Sequence, residues 1–223
     1  MTNQDEAVLR QEIATRYKYI ESIGLNELSS GNVSCRFGDG MLISASGATG
    51  DNIEPQTIVF VSQDGKYEGE RKPSSEWRMH AAIYREHEKA NAVVHTHSDY
   101  CVAVSCHEKP LPGFHYLVGT FGGSDVPCTP YTTFGGSHLG DDAAKALKDR
   151  SACLLGSHGM ICRGGNLNSA VTLAHRLEIM CRQYVLACQL GEPRLLTEAE
   201  WEEFFDRAKK ISYSSYIWTQ RVG

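Results

Sequence analysis

The reading turns on Pro73-Ser74-Ser75-Glu76-Trp77-Arg78-Met79-His80 and the run that follows it, Ala92-Val93-Val94-His95-Thr96-His97. Trp77, Ala81 and Tyr84 recur at helical spacing after a proline stop, and an apolar β-branched run comes next, so the segment predicts a helix and then a strand. Alternate strand side chains share a face, which points His95 and His97 one way and Thr96 the other. Two imidazoles so placed can grip one ion, or can be two hydrogen-bonded core histidines. A third imidazole favours the ion. After the apolar run Ala152-Cys153-Leu154-Leu155 the chain reads Gly156-Ser157-His158-Gly159, a histidine at a strand end between glycines that let backbone approach closely. Three histidine ligands leave a position open on zinc, the arrangement of a catalytic rather than a structural site. The other six histidines show no comparable setting.

Ser74 reads as the N-cap of the helix, which puts Glu76 in its first turn. A carboxylate there is favoured by the helix dipole alone. The same helix end, with the hydroxyls of Ser74 and Ser75 and free backbone donors, is also suited to a phosphate. The loop Ala45-Ser46-Gly47-Ala48-Thr49-Gly50 is small and hydroxyl-rich, either a solvated turn or an anion-binding nest.

Around this centre the chain alternates elements. A helix is expected over residues 4–23, with Leu9, Ile13, Tyr17 and Ile20 on one face; a strand through Val33–Phe37 follows, then a hairpin at Gly38-Asp39-Gly40 and a return through Met41–Ser44. Ile58–Val61 forms another strand, residues 98–106 and 141–147 form helices, and a long helix runs from Asn168 to Leu190. Thr197 and Glu200 make a capping box for a last helix. Residues 110–136, rich in Gly, Pro and Thr, are too long for a mere connector.

A chain of 223 residues is most simply one domain. Twenty-two Lys and Arg against 27 Asp and Glu give a net charge of -5, which disfavours nucleic acid and offers no basic membrane patch. No apolar run reaches the roughly 20 residues a bilayer requires, and a cytoplasmic protein is expected. The eight cysteines include no Cys-x-x-Cys pair and read as reduced small hydrophobes. Cys128, between Pro127 and Thr129 on a loop, is the one nearest the expected site.

Gly31-Asn32, Ser46-Gly47, Pro73-Ser74-Ser75-Glu76-Trp77, His95-Thr96-His97, His115-Tyr116 and His158-Gly159, in that order, resemble the class II aldolase/adducin family over nearly the whole chain. The resemblance implies a single α/β domain, a three-layer α/β/α subunit around a mainly antiparallel sheet, in a fourfold homotetramer with active sites between subunits and a tail from about residue 211 docked on a neighbour. By the same resemblance, His95, His97 and His158 would hold Zn2+ (or Mn2+ or Co2+), with Glu76 a fourth ligand and the proton shuttle. Asn32, Ser46, Gly47, Ser74 and Ser75 would hold the phosphate, and Tyr116 would act as a proton donor from the adjacent subunit. Tyr213 and Tyr216 are both candidates for a functional tail tyrosine.

The implied reaction is cleavage of a ketose 1-phosphate, L-fuculose 1-phosphate or a 5-deoxy- or 5-methylthio-ribulose 1-phosphate, to dihydroxyacetone phosphate and an aldehyde through a metal-stabilised enediolate. Leu117–Phe121 and the tail are expected to border the aldehyde, Phe121 or Trp218 suiting an apolar end. Three other readings stay open: a ribulose-5-phosphate 4-epimerase, for which Thr120 or Asp125 marks the place of an extra acid; a methylthioribulose-1-phosphate dehydratase; and a non-catalytic adducin-like scaffold. A lysine Schiff base is disfavoured because the lysines lie in polar contexts such as Glu70-Arg71-Lys72.

Overall fold

Along β4 (Ala92–Thr96), Ala92 and Val94 pack into one apolar cluster and Val93 into a second, on the opposite face of the sheet. The alternation is the period of a strand buried on both sides. In the computed structural model, which describes residues 3–67 and 69–210, seven strands form one sheet in the order β3-β2-β1-β4-β7-β6-β5. The others are β1 (Asn32–Phe37), β2 (Gly40–Ile43), β3 (Val59–Ser62), β5 (Cys128–Thr129), β6 (Ala152–Leu155) and β7 (Gly159–Gly164). Every pairing is antiparallel except the short β5–β6 contact, which is parallel. The expected mainly antiparallel sheet is therefore present.

Helices cover both faces. Ile13, Tyr17 and Ile20 of α1 (Asn3–Ser22), Cys101 and Val104 of α3 (Asp99–Ser105), the apolar stripe of α5 (Leu167–Gln189) and Trp201 of α6 (Glu198–Lys210) pack on one side. Met79, Ala82 and Ile83 of α2 (Trp77–Glu86) and Leu139, Ala143 and Ala144 of α4 (Ser137–Ala146) pack on the other. Each fully buried Ile, Leu or Met side chain among them contributes about 1.5–3 kcal/mol, so the two clusters hold the sheet as a rigid base for the loops at its edge. The expected capping box is made: Glu200 Oε2 accepts from Thr197 N at 2.8 Å, and Thr197 Oγ1 from Glu200 N at 3.3 Å.

Three expectations need correction. The helix α2 begins at Trp77, so Glu76 stands at the cap position, and Ser74, whose Oγ accepts from Glu76 N at 3.3 Å, lies before it. The cause is Pro73, which bridges to Ala45 and keeps the preceding residues extended. The helix α4 starts at Ser137, immediately after Gly135 and Gly136, rather than at Asp141. Phe121 is fully buried, at the end of a 3-10 turn over Tyr116–Phe121, so its ring offers no surface to a substrate. Tyr213, Tyr216 and Trp218 lie outside the described residues.

Candidate metal centre and active site

Three loops and one strand end deliver the expected ligands to one place. His95 is the penultimate residue of β4 and His97 follows its end, both on the face that Val93 shares with α2. The hairpin between β6 and β7 brings His158 beside them, through Ser157 at φ 51° and Gly159 at φ 153°. A Cβ on Gly159 would stand 2.4 Å from Thr96 O and 3.2 Å from His97 Cα, so a residue without a side chain is needed for the two strand ends to meet. Gly31 does the same on the other flank, where a Cβ would stand 2.7 Å from His95 O.

One ligand atom from each of Glu76, His95, His97 and His158 lies within 4.8 Å of the others. His95 Nδ1 donates to Met160 O at 2.8 Å, because a carbonyl can only accept. In the neutral ring Nε2 is then a bare lone pair, yet it faces Glu76 Oε2 at 3.0 Å and His97 Nε2 at 2.9 Å. Glu76 Oε1 is buried and 3.2 Å from His158 Nε2 but accepts no hydrogen bond of proper geometry. Lone pairs converging this closely repel unless a positive charge sits among them. The donor set thus fits a divalent cation, with the Nδ1–H to carbonyl bond fixing the ligand tautomer as it commonly does in metal sites.

The electrostatics agree. Burial works to raise the Glu76 pKa, but positive charge placed at His95 and His158, as a cation held there would supply, outweighs it and keeps the carboxyl well below the usual carboxylate range. Burial, helped by the neighbouring imidazoles, lowers His97 to about 3, so its ring is neutral and able to coordinate.

Beside the cluster is a cavity of about 380 Å³ lined by Glu76, His97 and His158 together with Ser30, Ser75 and Ser157 and the rings of Tyr131 and Phe134. Among the described residues no lysine lines it, which leaves a Schiff base without a candidate there. The expected phosphate residues sit on loops stitched together by backbone. Ser46 N donates to Lys72 O at 2.9 Å and Ser74 N to Ser44 O at 3.1 Å, which sets Ser46 and Gly47 beside Ser74 and Ser75. Ser46, Gly47 and Ser75 are exposed, and Gly47 has φ 75°. The buried Tyr17 hydroxyl donates to Ala48 O at 2.6 Å and lies 3.4 Å from Gly31 O, pinning the loop of Ser46 and Gly47 to the loop before Asn32. Asn32 differs: its side-chain amide donates to Glu76 Oε2 at 3.0 Å and its carbonyl meets His80 Nε2 at 2.5 Å, so its side chain is already engaged.

Tyr116 is 48% exposed, stacked on His115, and is not among the residues lining the cavity of its own chain. Asp125 pairs with Arg150 at 2.7 Å, and Thr120 is buried with its hydroxyl on Leu117 O. Neither lines the cavity either. Cys128 is half-buried with its thiol pushed up to about 11 by burial, and it too lies outside the lining.

The sequence reading missed His80. It is fully buried between Asn32 and Ser34, four residues after Glu76 and so on the same helical side. The signal was there in Glu76, His80 and Tyr84 at intervals of four.

A profile for the Class II Aldolase and Adducin N-terminal domain matches residues 11–185. The chain belongs to this family. It is 40% identical over 201 residues to a 5-methylthioribulose-1-phosphate/5-deoxyribulose-1-phosphate aldolase of Rhodospirillum rubrum, covering 90% of this chain and 91% of the relative. It is 43% identical over 171 residues to an L-fuculose phosphate aldolase of Escherichia coli O6:H1, covering 77% and 80%. Among solved structures, an L-fuculose 1-phosphate aldolase superposes with a TM-score of 0.86 at 33% identity, covering 94% of this chain and 98% of that one. The metal-binding cluster sits in a class II aldolase fold.

Proposed function

We propose that the protein is a zinc-dependent lyase that splits a ketose 1-phosphate into dihydroxyacetone phosphate and an aldehyde. The observation that carries this reading is the convergence of three imidazoles and one buried carboxylate beside a hydroxyl-rich cradle, in a chain of the class II aldolase family. In it, His95, His97 and His158 hold the ion, with Glu76 a further ligand. When bound, the cation supplies the positive charge that stabilises the substrate's carbonyl and hydroxyl oxygens as the bond between C3 and C4 breaks.

The chain's own groups do the rest. Ser46, Gly47, Ser74 and Ser75, with the backbone at Asn32, hold the phosphate and so fix the sugar's register against Glu76. The electron pair of the broken bond stays with C3; as the C4 hydroxyl gives up its proton to become the aldehyde, Glu76, ionised at rest and released from the ion, takes up a proton from solvent and passes it to C3, a step typically worth about 10²- to 10⁴-fold in rate. Tyr116 of a neighbouring subunit hydrogen-bonds the aldehyde oxygen and gives it a proton in the direction of synthesis. The exposed position of Tyr116, away from its own cavity, supports a fourfold homotetramer with shared sites. Zinc is favoured by the mixed imidazole and carboxylate donors, and a reducing cytoplasm by the eight free thiols.

For the aldehyde half, the Tyr131 and Phe134 rings on the cavity favour a deoxy or methylthio end over a polyol, in line with the activity named for the Rhodospirillum rubrum relative. Asp125, a candidate second acid for the 4-epimerase reading, is paired with Arg150 and is not among the residues lining the cavity, which weighs against that reading. Steady-state kcat/KM on 5-methylthioribulose, 5-deoxyribulose and L-fuculose 1-phosphates, with metal content measured, tests the assignment. Release of dihydroxyacetone phosphate is expected; C4 inversion or dehydration without it refutes an aldolase.

A further inference from the structure

Beneath α2, the sheet face carries a row of buried polar groups that the chemistry above does not use. On β1, Val33 and Cys35 join the apolar cluster on the α5 side, which turns Asn32 and Ser34 toward α2. There they meet His80 and Tyr84, and all four are at least nine-tenths buried.

The hydrogen-bond roles along this row are forced one by one. A carboxylate only accepts, so the Asn32 amide nitrogen, 3.0 Å away, must face Glu76 Oε2. The Asn32 carbonyl then faces His80 Nε2 at 2.5 Å, and since it too only accepts, Nε2 carries the ring's proton. Burial lowers the His80 pKa to about 3, so the ring is neutral and holds one proton. Nδ1 is therefore bare and accepts from Ser34 Oγ at 2.7 Å, and Ser34 in turn accepts from Tyr84 OH at 2.8 Å. Burial raises the Tyr84 pKa, keeping its proton in place. Rotating the Asn32 amide by half a turn would set its oxygen against the carboxylate and its NH2 against an N–H.

We propose that His80 is a positioning residue: through Asn32 it anchors Glu76 by Oε2 and leaves Oε1 as the oxygen that carries the proton in the reaction. The assignment rests on Glu76 being the acid/base. It is consistent with the lone hydrogen-bond vacancy among the carboxylate's oxygens, which is at Oε1. Such outer partners typically change activity by about 10- to 100-fold when removed.

The test has two arms. With 15N-labelled histidine in metal-free protein, His80 is expected to show a protonated Nε2 and a bare Nδ1, and one Asn32 side-chain N–H to exchange slowly in the wild type but not in His80→Phe. In the metal-loaded enzyme, His80→Phe is expected to lower kcat by about 10- to 100-fold with KM and bound metal unchanged. His80→Gln, whose amide nitrogen can still donate to Asn32, is expected to recover most of it. Should His80→Phe not fold, Ser34→Ala is the gentler probe, expected to lower kcat by about threefold, the equivalent of one weak hydrogen bond. A proton on Nδ1, equal losses in the Phe and Gln variants, or a loss confined to KM or metal content overturns the proposal. If the wild type cleaves no ketose 1-phosphate, the role of Glu76 fails, while the tautomer and amide exchange still decide whether this row is wired as described.

Discussion

Gly159→Ala isolates the contact that gathers the metal ligands. Gly159 follows His158, has φ 153°, and abuts the end of β4 so closely that a Cβ would lie 2.4 Å from Thr96 O, about 1 Å short of ordinary contact. Thr96 O is backbone in the middle of the sheet and cannot swing aside, so the hairpin carrying His158 must give instead. A side chain held at such a φ costs of order 1–3 kcal/mol, and relief comes by backing the β6–β7 turn away from β4. That motion pulls His158 from His95 and His97, whose ring centroids are now 4.9 and 4.7 Å from it. If the strain is transmitted in full, zinc affinity falls about 5- to 150-fold, since each 1.4 kcal/mol is tenfold.

Competition with a chromogenic chelator measures the zinc Kd, and urea unfolding of metal-free protein measures the strain itself. Gly165→Ala is the control: it lies at the far end of β7 with nothing within 4 Å of its added Cβ and no positive φ. A Gly159→Ala protein that binds zinc within about twofold of wild type would mean the hairpin relaxes without moving His158. The account of how these glycines assemble the site would then be wrong.

Three further outcomes follow from the same geometry. Glu76→Gln keeps the shape and the Asn32 contact but loses the proton carrier, so kcat is expected to fall about 10²- to 10⁴-fold while His95, His97 and His158 still hold one metal per chain; loss of metal along with activity would count against a catalytic role. Tyr17→Phe removes the hydroxyl that ties Ala48 O to the Gly31 loop; a net hydrogen bond of about 0.5–1.5 kcal/mol is lost, and KM should rise and inhibition by inorganic phosphate weaken, with kcat little changed, in initial-rate assays. For pH, His80 sits near 3 in the fold against 6.5 when free, so below pH 6.5 the unfolded chain takes up a proton the folded one refuses. The stability of metal-free protein is thus full above pH 6.5 and falls toward pH 3, His80 accounting for roughly 1 kcal/mol per pH unit. Urea unfolding at pH 7.5 and 5.0 should show a shallower decline for His80→Gln than for wild type.

The contrast between His95 and His80 shows where sequence alone is enough and where it is not. His95 and His97 announce themselves because their relation is local: period two on an apolar strand needs no knowledge of what packs above it. His158 is distant in the chain, but its glycine flanks mark a tight turn after a strand, and three such marks suffice to suggest one ion. His80 carries only its spacing of four from Glu76 and Tyr84, which does not say what it meets, since its partners lie on β1, where Asn32-Val33-Ser34-Cys35 alternates polar and apolar as a half-solvated strand does. The polar side of β1 is in fact covered by α2, a fact of tertiary packing, and Ser34 and His80 are fully buried. The same blindness works in reverse for Phe121, an aromatic in a Gly-rich loop that looks free to meet a substrate but is closed into the core. A polar strand face that tertiary packing buries must have every donor and acceptor matched, because an unpaired buried group costs about 1–3 kcal/mol. Matching them along Tyr84, Ser34, His80 and Asn32 leaves no freedom in which atom bears each proton, and the row ends on the one carboxylate in the metal cluster.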